Sequence, residues 1–413
     1  MIVDGRFASQ VAALRAQAGG VKHWLSHGDR IAGVEPVEDA MARASAQPRE
    51  DESPGALMLY TSGTTGSPRG VWRPLPSVAG QGAPTFAADL IALCWLDEQM
   101  RYLSTAPLYH AAPLRFALAI TAAGGLVHAL EKFEPEAALS AITEFGITHS
   151  QWVPTMFQRL LQLPPELRAG HSAPRHVMAL HAAAPCPAAV KRAMIEWWGP
   201  VLLEYYSGTE GVGLTMIDSA QWLAHPGSVG RSVKGVPHVV DDASHELPAG
   251  QVETIYFSGV TPFEYFCDPQ KTALRTHAAG WQTLGVGYLD ADGYLYLTDR
   301  MDDMIISGGV NVYPQEIEAA ILELAEIVDC AVVGVADTQF GERPVAFVVV
   351  ECGQVAEAVL ERARAHCAAW ACQTACAVHR GRERAAAVCV PFVRLNFIAG
   401  SGGPLTRKAS ARA

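Results

Sequence analysis

Between Tyr102 and Tyr205, short apolar runs alternate with amphipathic stretches, and this alternation limits the available folds more than any other feature. Tyr102–Thr105, Gly125–Ala129, His176–Leu180 and Val201–Tyr205 read as strands, while Pro135–Glu144, Met156–Leu163 and Ala188–Trp198 read as helices. Strands joined through helices return in the same direction, so an α/β architecture with a largely parallel sheet is expected. Upstream, Met1–Val3 reads as a strand, Ala8–Ala18 as a helix and Arg43–Pro54 as a polar loop. From Gln251 to Leu297 the pattern becomes short alternating strands with turns between them, Gly293–Thr298 for example. After Asp299 a compact α/β unit begins: strand Met304–Ile306, helix Pro314–Ile321, strands Ala331–Val335 and Val345–Val350. A domain boundary is therefore placed near Asp299–Asp303. No internal repeat interrupts the pattern.

Composition narrows the function classes. Half of the 413 residues are hydrophobic and 18% are charged, which excludes disorder for most of the chain. The length suits two to three domains and a core that needs no disulfide or metal staple. A net charge of −11 argues against nucleic acid as the main partner. Uncharged stretches such as Phe116–Leu130 fall short of a bilayer span, so no integral membrane segment is expected. Met1–Arg6 lacks the features of a signal peptide, so a cytoplasmic location with reduced thiols is expected. The end of the chain differs in character: residues 352–413 hold five of the nine cysteines and nine Lys/Arg against three Asp/Glu.

The sharpest local signal follows the apolar run Leu57–Tyr60, which stops at Thr61-Ser62-Gly63-Thr64-Thr65-Gly66-Ser67-Pro68-Arg69-Gly70. The internal glycines permit tight turns and close approach of backbone to a ligand. Exposed N–H groups in such a loop form an anion nest, and Arg69 adds a fixed charge. Chemically this is a polyphosphate cradle, although the Walker A spacing is absent. From composition alone, a Ser/Thr/Gly-rich surface loop fits as well.

The stretch resembles the phosphate-binding loop of the adenylate-forming superfamily, which includes acyl-CoA synthetases, peptide-synthetase adenylation domains and luciferases. Further segments agree in order. Ala106-Pro107-Leu108-Tyr109-His110 and Val153-Pro154-Thr155 resemble acyl-pocket segments, and Tyr206-Ser207-Gly208-Thr209-Glu210 resembles the family's Tyr-Gly-x-Thr-Glu motif. Asp299–Glu318 resembles the hinge and the start of the C-terminal domain. The resemblance implies an α/β fold: a large multi-sheet adenylate-forming domain over 1–299, incomplete at its start, plus a small mobile C-terminal α+β domain over 300–413. The latter is family-like to about 351–366 and irregular beyond.

It also implies an AMP-forming acyl-CoA synthetase acting on a fatty or aromatic carboxylic acid, with ATP, Mg²⁺ and coenzyme A. In that reading Thr61, Ser62, Gly63, Thr64, Thr65, Gly66 and Arg69 hold the β- and γ-phosphates, Arg69 standing where the family carries Lys. Thr209 bonds the α-phosphate and Glu210 coordinates Mg²⁺. Tyr206 stacks on adenine; as a residue type Tyr205 fits equally, and only the motif favours Tyr206. Ser207 replaces a Gly at the pocket floor, and Ala184-Pro185 packs on the other side of the base. His110 is either a contact near the acyl carboxylate or a structural histidine. Arg300 contacts ribose or phosphate, Asp302 is the hinge, and Gly308-Gly309 lines the pantetheine tunnel.

The chain departs from the family in three places. Only about 57 residues precede the loop. The pattern Trp-x-Thr-x-Gly-Asp-x-Gly appears as Trp281-Gln282-Thr283-Leu284-Gly285-Val286-Gly287, one residue short and without the ribose-binding acid. The C-terminal lysine motif survives only as a loose echo, Pro404-Leu405-Thr406-Arg407-Lys408. Back-translation of His379–Glu383 with GC-rich codons, read one base over, yields a family-like strand, so a change of reading frame between about Cys367 and His379 is expected. The cluster His366, Cys367, Cys372, Cys376 and His379 lacks paired zinc-ligand spacing, and a zinc site is not expected. These departures keep a rival open: a degenerate nucleotide-binding protein without turnover.

Overall fold

Central strands of a helix-covered sheet are buried on both faces and so need little more than four apolar or small residues each. The computed structural model contains such strands and describes residues 1–47, 56–61, 69–74, 85–171, 173–241, 243–299, 305–307, 310–312, 314–337, 341–350, 358–367 and 394–397. The chain divides into two compact units, Met1–Pro54 with Pro76–Gln81, and Gly55–Leu75 with Gly82–Ala413.

In the first unit, β1 (Ile2–Asp4), β2 (Leu25–His27) and β3 (Glu35–Pro36) form a small parallel sheet, with helices α1 (Ala8–Gln17) and α2 (Val37–Arg43). Val3, Val11, Ile31 and Val34 make its core. The sequence places a loop from Arg43; Arg43 instead closes α2, where Glu38 and Asp39 in the first turn complement the helix dipole.

The second unit opens with the hairpin β4 (Leu59–Thr61) and β5 (Arg69–Trp72), followed by α3 (Thr85–Cys94), β6 (Arg101–Ser104), α4 (Ala111–Ala122), β7 (Leu126–Ala129), α5 (Pro135–Glu144) and β8 (His149–Trp152). Then come α6 (Pro154–Leu161), α7 (Pro165–Gly170), β9 (Met178–His181), α8 (Ala188–Trp198), β10 (Leu202–Tyr206), β11 (Leu214–Asp218), α9 (Ser219–Ala224), β12 (Ser228–Lys234) and β13 (Val236–Val240). β14 (Glu253–Ser258), β15 (Glu264–Tyr265), α10 (Pro269–Ala273), β16 (Gln282–Leu289) and β17 (Leu295–Asp299) complete this part. Eleven strands form one sheet in the order β13-β14-β16-β17-β12-β11-β10-β9-β8-β6-β7. The run β7, β6, β8, β9, β10 is parallel, as the alternating pattern requires, and the rest is antiparallel.

Helices cover both faces of the parallel part. On one, Trp152, Phe157, Leu160 and Met194 pack α6 and α8 against the sheet. On the other, Tyr102, Phe116, Ile120 and Tyr205 pack α4. The helix read as Met156–Leu163 begins at Pro154, because proline fits the first helical position without loss of a hydrogen bond. Gly199, at φ +81°, ends α8 in a conformation that favours glycine.

The last part contains β18 (Ile305–Ser307), β19 (Val310–Val312), α11 (Pro314–Ile321), β20 (Ile327–Asp337), β21 (Gly341–Val350), a helix over 358–367 and β22 (Arg394–Phe397), which pairs in parallel with β21. Ile317, Ile321, Val332, Val348, Val359 and Ala363 fill its core. Cys367 is buried there too, its thiol pushed up to about 11, and His366 pairs with Glu323 at 2.8 Å. Among the described residues, these two members of the Cys/His cluster are engaged separately. No helix among the described residues is long and apolar enough to cross a membrane.

Candidate active site

In open α/β sheets, ligands bind beyond the carboxyl ends of the parallel strands, where the chain leaves the ladder. Here β6, β8, β9 and β10 end side by side: Ser104 pairs with Gln151, Trp152 with His181, and His181 with Glu204. The chain therefore leaves the sheet at Thr105, Val153, Ala182 and Ser207 along a single edge. The four motif segments Ala106–His110, Val153–Thr155, Ala184-Pro185 and Tyr206–Glu210 all start there, although 100 residues separate the first from the last.

A buried polar relay fixes this edge. Tyr102 Oη donates to Gln151 Oε1 at 2.7 Å, and Gln151 Nε2 donates to Tyr205 Oη at 2.8 Å, which ties β6, β8 and β10 together. Burial pushes both phenols above their ordinary range. Tyr205 is thus a core residue. Successive strand residues face opposite sides, so Tyr206 points away from that core and is half-buried.

The turn after β10 is held by four hydrogen bonds. Ser207 Oγ donates to the Gly213 carbonyl at 2.7 Å. Arg115, from the second turn of α4, donates through Nη2 to the Thr209 carbonyl at 3.1 Å. Arg73, just past β5, donates to the Glu210 carbonyl. Tyr265 Oη donates to Glu210 Oε1 at 2.7 Å. Gly211 has φ +63°, and a Cβ there would come within 3.2 Å of the Arg73 guanidinium. Burial lowers the pKa of both arginines, Arg115 lowers that of Arg73 further, and Glu210 holds both up.

Below the ends of β9 and β10, Lys191 of α8 donates to Glu204 Oε2, and both are fully or nearly fully buried. Burial pushes the lysine down and the glutamate up, and each partner opposes the other's shift. His181 lies 3.9 Å from Glu204 Oε2; its pKa is pushed well below the ordinary value by burial and then by Lys191, so it is neutral. Two residues on, Ala183 has φ +77°, a strained conformation for a residue other than glycine, directly before Ala184-Pro185. Ala184 and Pro185 are exposed.

His110 is the N-cap residue of α4 with no side-chain capping bond; it is exposed, its ring 4.4 Å from that of Tyr109. Thr61 and Arg69 pair across the β4–β5 hairpin and so bracket the Gly/Thr-rich loop. Ser62, Gly63, Thr64, Thr65, Gly66, Arg300, Asp302, Gly308, Gly309 and Lys408 lie outside the described residues. Sequence reasoning missed Arg73, Arg115 and Tyr265. The available signal for Arg115 was a lone charge inside the otherwise apolar helix Ala111–Ala122.

The stretch that lacks the family acid lies in β16. Its register slips against β14 at Leu284, and against β17 one residue, Thr298, is left over between Asp299↔Val286 and Leu297↔Gly287. Thr298 Oγ1 is buried without a hydrogen-bond partner among the described residues. Asp290 is occupied locally: Oδ1 accepts from the Asp292 and Tyr294 amides at 2.9 and 2.8 Å, shaping the β16–β17 turn. With His225 and Asp292 it forms a potential metal-ligand group away from the motif edge.

Known proteins align with this architecture. The family described as AMP-binding enzyme matches residues 4–264, and the AMP-binding enzyme C-terminal domain matches residues 316–381. A 2-succinylbenzoate–CoA ligase of Enterococcus faecalis is 33% identical over 73% of this chain and 61% of its own length. A long-chain-fatty-acid–CoA ligase of Mycobacterium tuberculosis is 30% identical over 85% of this chain and 68% of its own. This chain thus spans about two thirds of the length of these curated relatives. Among solved structures, the amide bond synthetase McbA from Marinactinospora thermotolerans superposes with a TM-score of 0.76 at 26% identity, covering 100% of this chain and 79% of that one. ATP-bound MatB from Rhodopseudomonas palustris gives 0.75 at 27% identity, covering 100% and 78%.

Proposed function

Because the chain belongs to the AMP-binding enzyme family, we propose that it activates a carboxylic acid with ATP and passes the acyl group to coenzyme A. The observation that carries this reading is the convergence of four motif segments on one edge of the parallel sheet, with the Thr209–Glu210 turn braced by Arg73, Arg115 and Tyr265. A fatty or aromatic acid is the substrate class, in line with the names of the relatives.

In the first half-reaction a carboxylate oxygen attacks the α-phosphorus of ATP, the bond to the bridging oxygen breaks, and pyrophosphate leaves. In the second, the coenzyme A thiol attacks the acyl carbon, a proton leaves the sulfur, and AMP departs. Both depend on position and on charge placed in advance. Tyr206, on the opposite side of β10 from the Tyr102–Tyr205 cluster and half-buried, would offer a face for adenine, and Ala184-Pro185 an opposing surface. Thr209, whose carbonyl is held by Arg115, would donate its hydroxyl to the α-phosphate. His110, exposed at the start of α4, would lie against the acyl carboxylate. Thr61 and Arg69 hold the ends of the phosphate loop. Glu210 suits Mg²⁺: it presents a hard carboxylate, with Oε1 oriented by Tyr265. When bound, Mg²⁺ would neutralise phosphate charge there. By motif resemblance alone, Asp302 is assigned as the hinge, Arg300 as a contact to ribose or phosphate and Gly308-Gly309 as lining of the pantetheine tunnel, and the protein is assigned to the cytoplasm.

Pyrophosphate release from ATP and coenzyme A, measured over a panel of fatty and aromatic acids, tests this reading. Carboxylate-dependent release supports it; nucleotide binding without release would instead favour a binding protein without turnover. The slipped register of β16, where the ribose-binding acid is absent, is the observation that favours this second reading.

A further inference from the structure

Among the described residues, Arg73 and Arg115 are cations with no anion of their own. Both are half-buried, yet the hydrogen bond each makes goes to a neutral main-chain carbonyl, that of Glu210 and that of Thr209. Among the described residues neither guanidinium has a carboxylate within ion-pair distance. Glu210 is the one carboxylate whose field reaches both, and its Oε1 already accepts from Tyr265. Two positive charges thus share one negative charge in a partly desolvated place, and Arg115 lowers the pKa of Arg73. Leaving a desolvated charge uncompensated costs several kcal/mol, and bonds to carbonyl oxygens offset only part of that. A chain that brings two arginines together from the end of β5 and from α4, 42 residues apart, retains this imbalance as the free form of an anion site. A guanidinium keeps its charge when desolvated and fits oxyanions through several N–H groups.

We infer that Arg73 and Arg115 form a guanidinium pair that binds the polyphosphate of ATP and steadies the departing pyrophosphate, while their carbonyl bonds hold Thr209 and Glu210 in place. The inference rests on the adenylation reading above and extends it to two residues outside the family motifs. The charge balance favours phosphate: with Mg²⁺ at Glu210 the site carries a clear positive excess, which a monocarboxylate cannot neutralise and a tri- or diphosphate can.

The test separates charge from scaffolding. Full-length wild-type, R73Q, R115Q and R115K proteins are titrated calorimetrically with pyrophosphate and Mg²⁺ at low and high salt. Folding of each is checked by its unfolding midpoint. Gln retains a donor for the carbonyl but no charge; Lys retains the charge. R73Q and R115Q should each lose about tenfold in pyrophosphate affinity, the scale of one charge-assisted hydrogen bond, and show a weaker salt dependence. R115K should stay within about threefold of wild type. In turnover, the Gln variants should raise KM for ATP by a larger factor than they slow thioester formation from supplied acyl-adenylate. Gln variants that bind like wild type, or R115K falling as far as R115Q, would overturn the inference and leave a scaffolding role. Those results leave the adenylation reading intact as long as wild type releases pyrophosphate with a carboxylate; a wild type that neither binds nor releases pyrophosphate overturns both.

Discussion

Tyr205 and Tyr206 are neighbours in the chain with opposite environments. The tyrosine pair alone does not say which is core and which is site. The strand pleat decides it, because Tyr205 turns into the Tyr102–Gln151 relay and Tyr206 turns away. Tyr205→Phe removes the acceptor of the Gln151 amide and should cost about 1–3 kcal/mol of stability, the penalty for a buried unsatisfied donor, with ATP affinity little changed. Tyr206→Ala should raise KM for ATP about tenfold and also lower the unfolding midpoint, since its half-buried ring packs against the cluster around Val71, Val212 and Phe257. Denaturant titration and ATP kinetics on the two variants check this, and a folded Tyr206→Ala protein with normal KM would remove it from the adenine site. Glu210→Gln should keep the Tyr265 bond but weaken the Mg²⁺ dependence of turnover, read from rates across a magnesium titration. Thr209 and Glu210 were legible because their motif is local. Arg73, Arg115 and Tyr265 were not, because each looks ordinary until three distant segments meet.

At the scale of elements, β16 is one residue out of step with β17, at the place where the family's acid is missing. Inserting Asp between Gly285 and Val286 should draw Thr298 back into the ladder and tighten ATP binding about tenfold, on the 1–3 kcal/mol scale of bonds to a charged group. Unchanged affinity in a folded insertion variant would show that ribose is held in another way. The β8–β9 ladder carries a pH-dependent weakness. His176 is buried, its Nε2 2.6 Å from Ser150 Oγ, and burial with nearby His171 and His149 pushes its pKa to about 3. In the unfolded chain it titrates near its ordinary value of 6.5. The folded state therefore binds fewer protons: stability is full above pH 6.5 and declines as pH falls towards 3, by about 1.4 kcal/mol per unit. Denaturant titrations from pH 7.5 to 5.0 should show a slope to which buried His181 also contributes, and His176→Gln should lower it by about 1.4 kcal/mol per unit while the His181 share remains. Strands and helices were legible to within two residues where periodicity and proline signals agree, as for α5, α8 and α11. The hairpin strand β5 was not, because Arg69 and Gly70 read as loop until their pairing with Thr61 and Tyr60 is seen.

For the whole molecule, on the adenylation reading proposed above, the departures from the family pattern bear on one half-reaction. Arg69 in place of lysine, the absent ribose acid and the altered lysine motif around Lys408 all concern attack on ATP, whereas thioester formation from a finished acyl-adenylate needs them less. Adenylation should therefore be the slower and more damaged half, measured as pyrophosphate release against thioester formation from supplied acyl-adenylate. Equal loss in both would count against this assignment. Reading the source DNA across Cys367–His379 tests the expected change of frame. By itself the sequence determined the α/β class, the parallel order implied by alternation, and the identity of the motif residues. Those properties depend on local periodicity and short contiguous patterns. Only the tertiary structure decided which strand ends share an edge, that Tyr205 is core, and that two arginines face a single carboxylate. Those outcomes depend on sheet order and on desolvation, which arise only when residues remote in the chain are brought into contact.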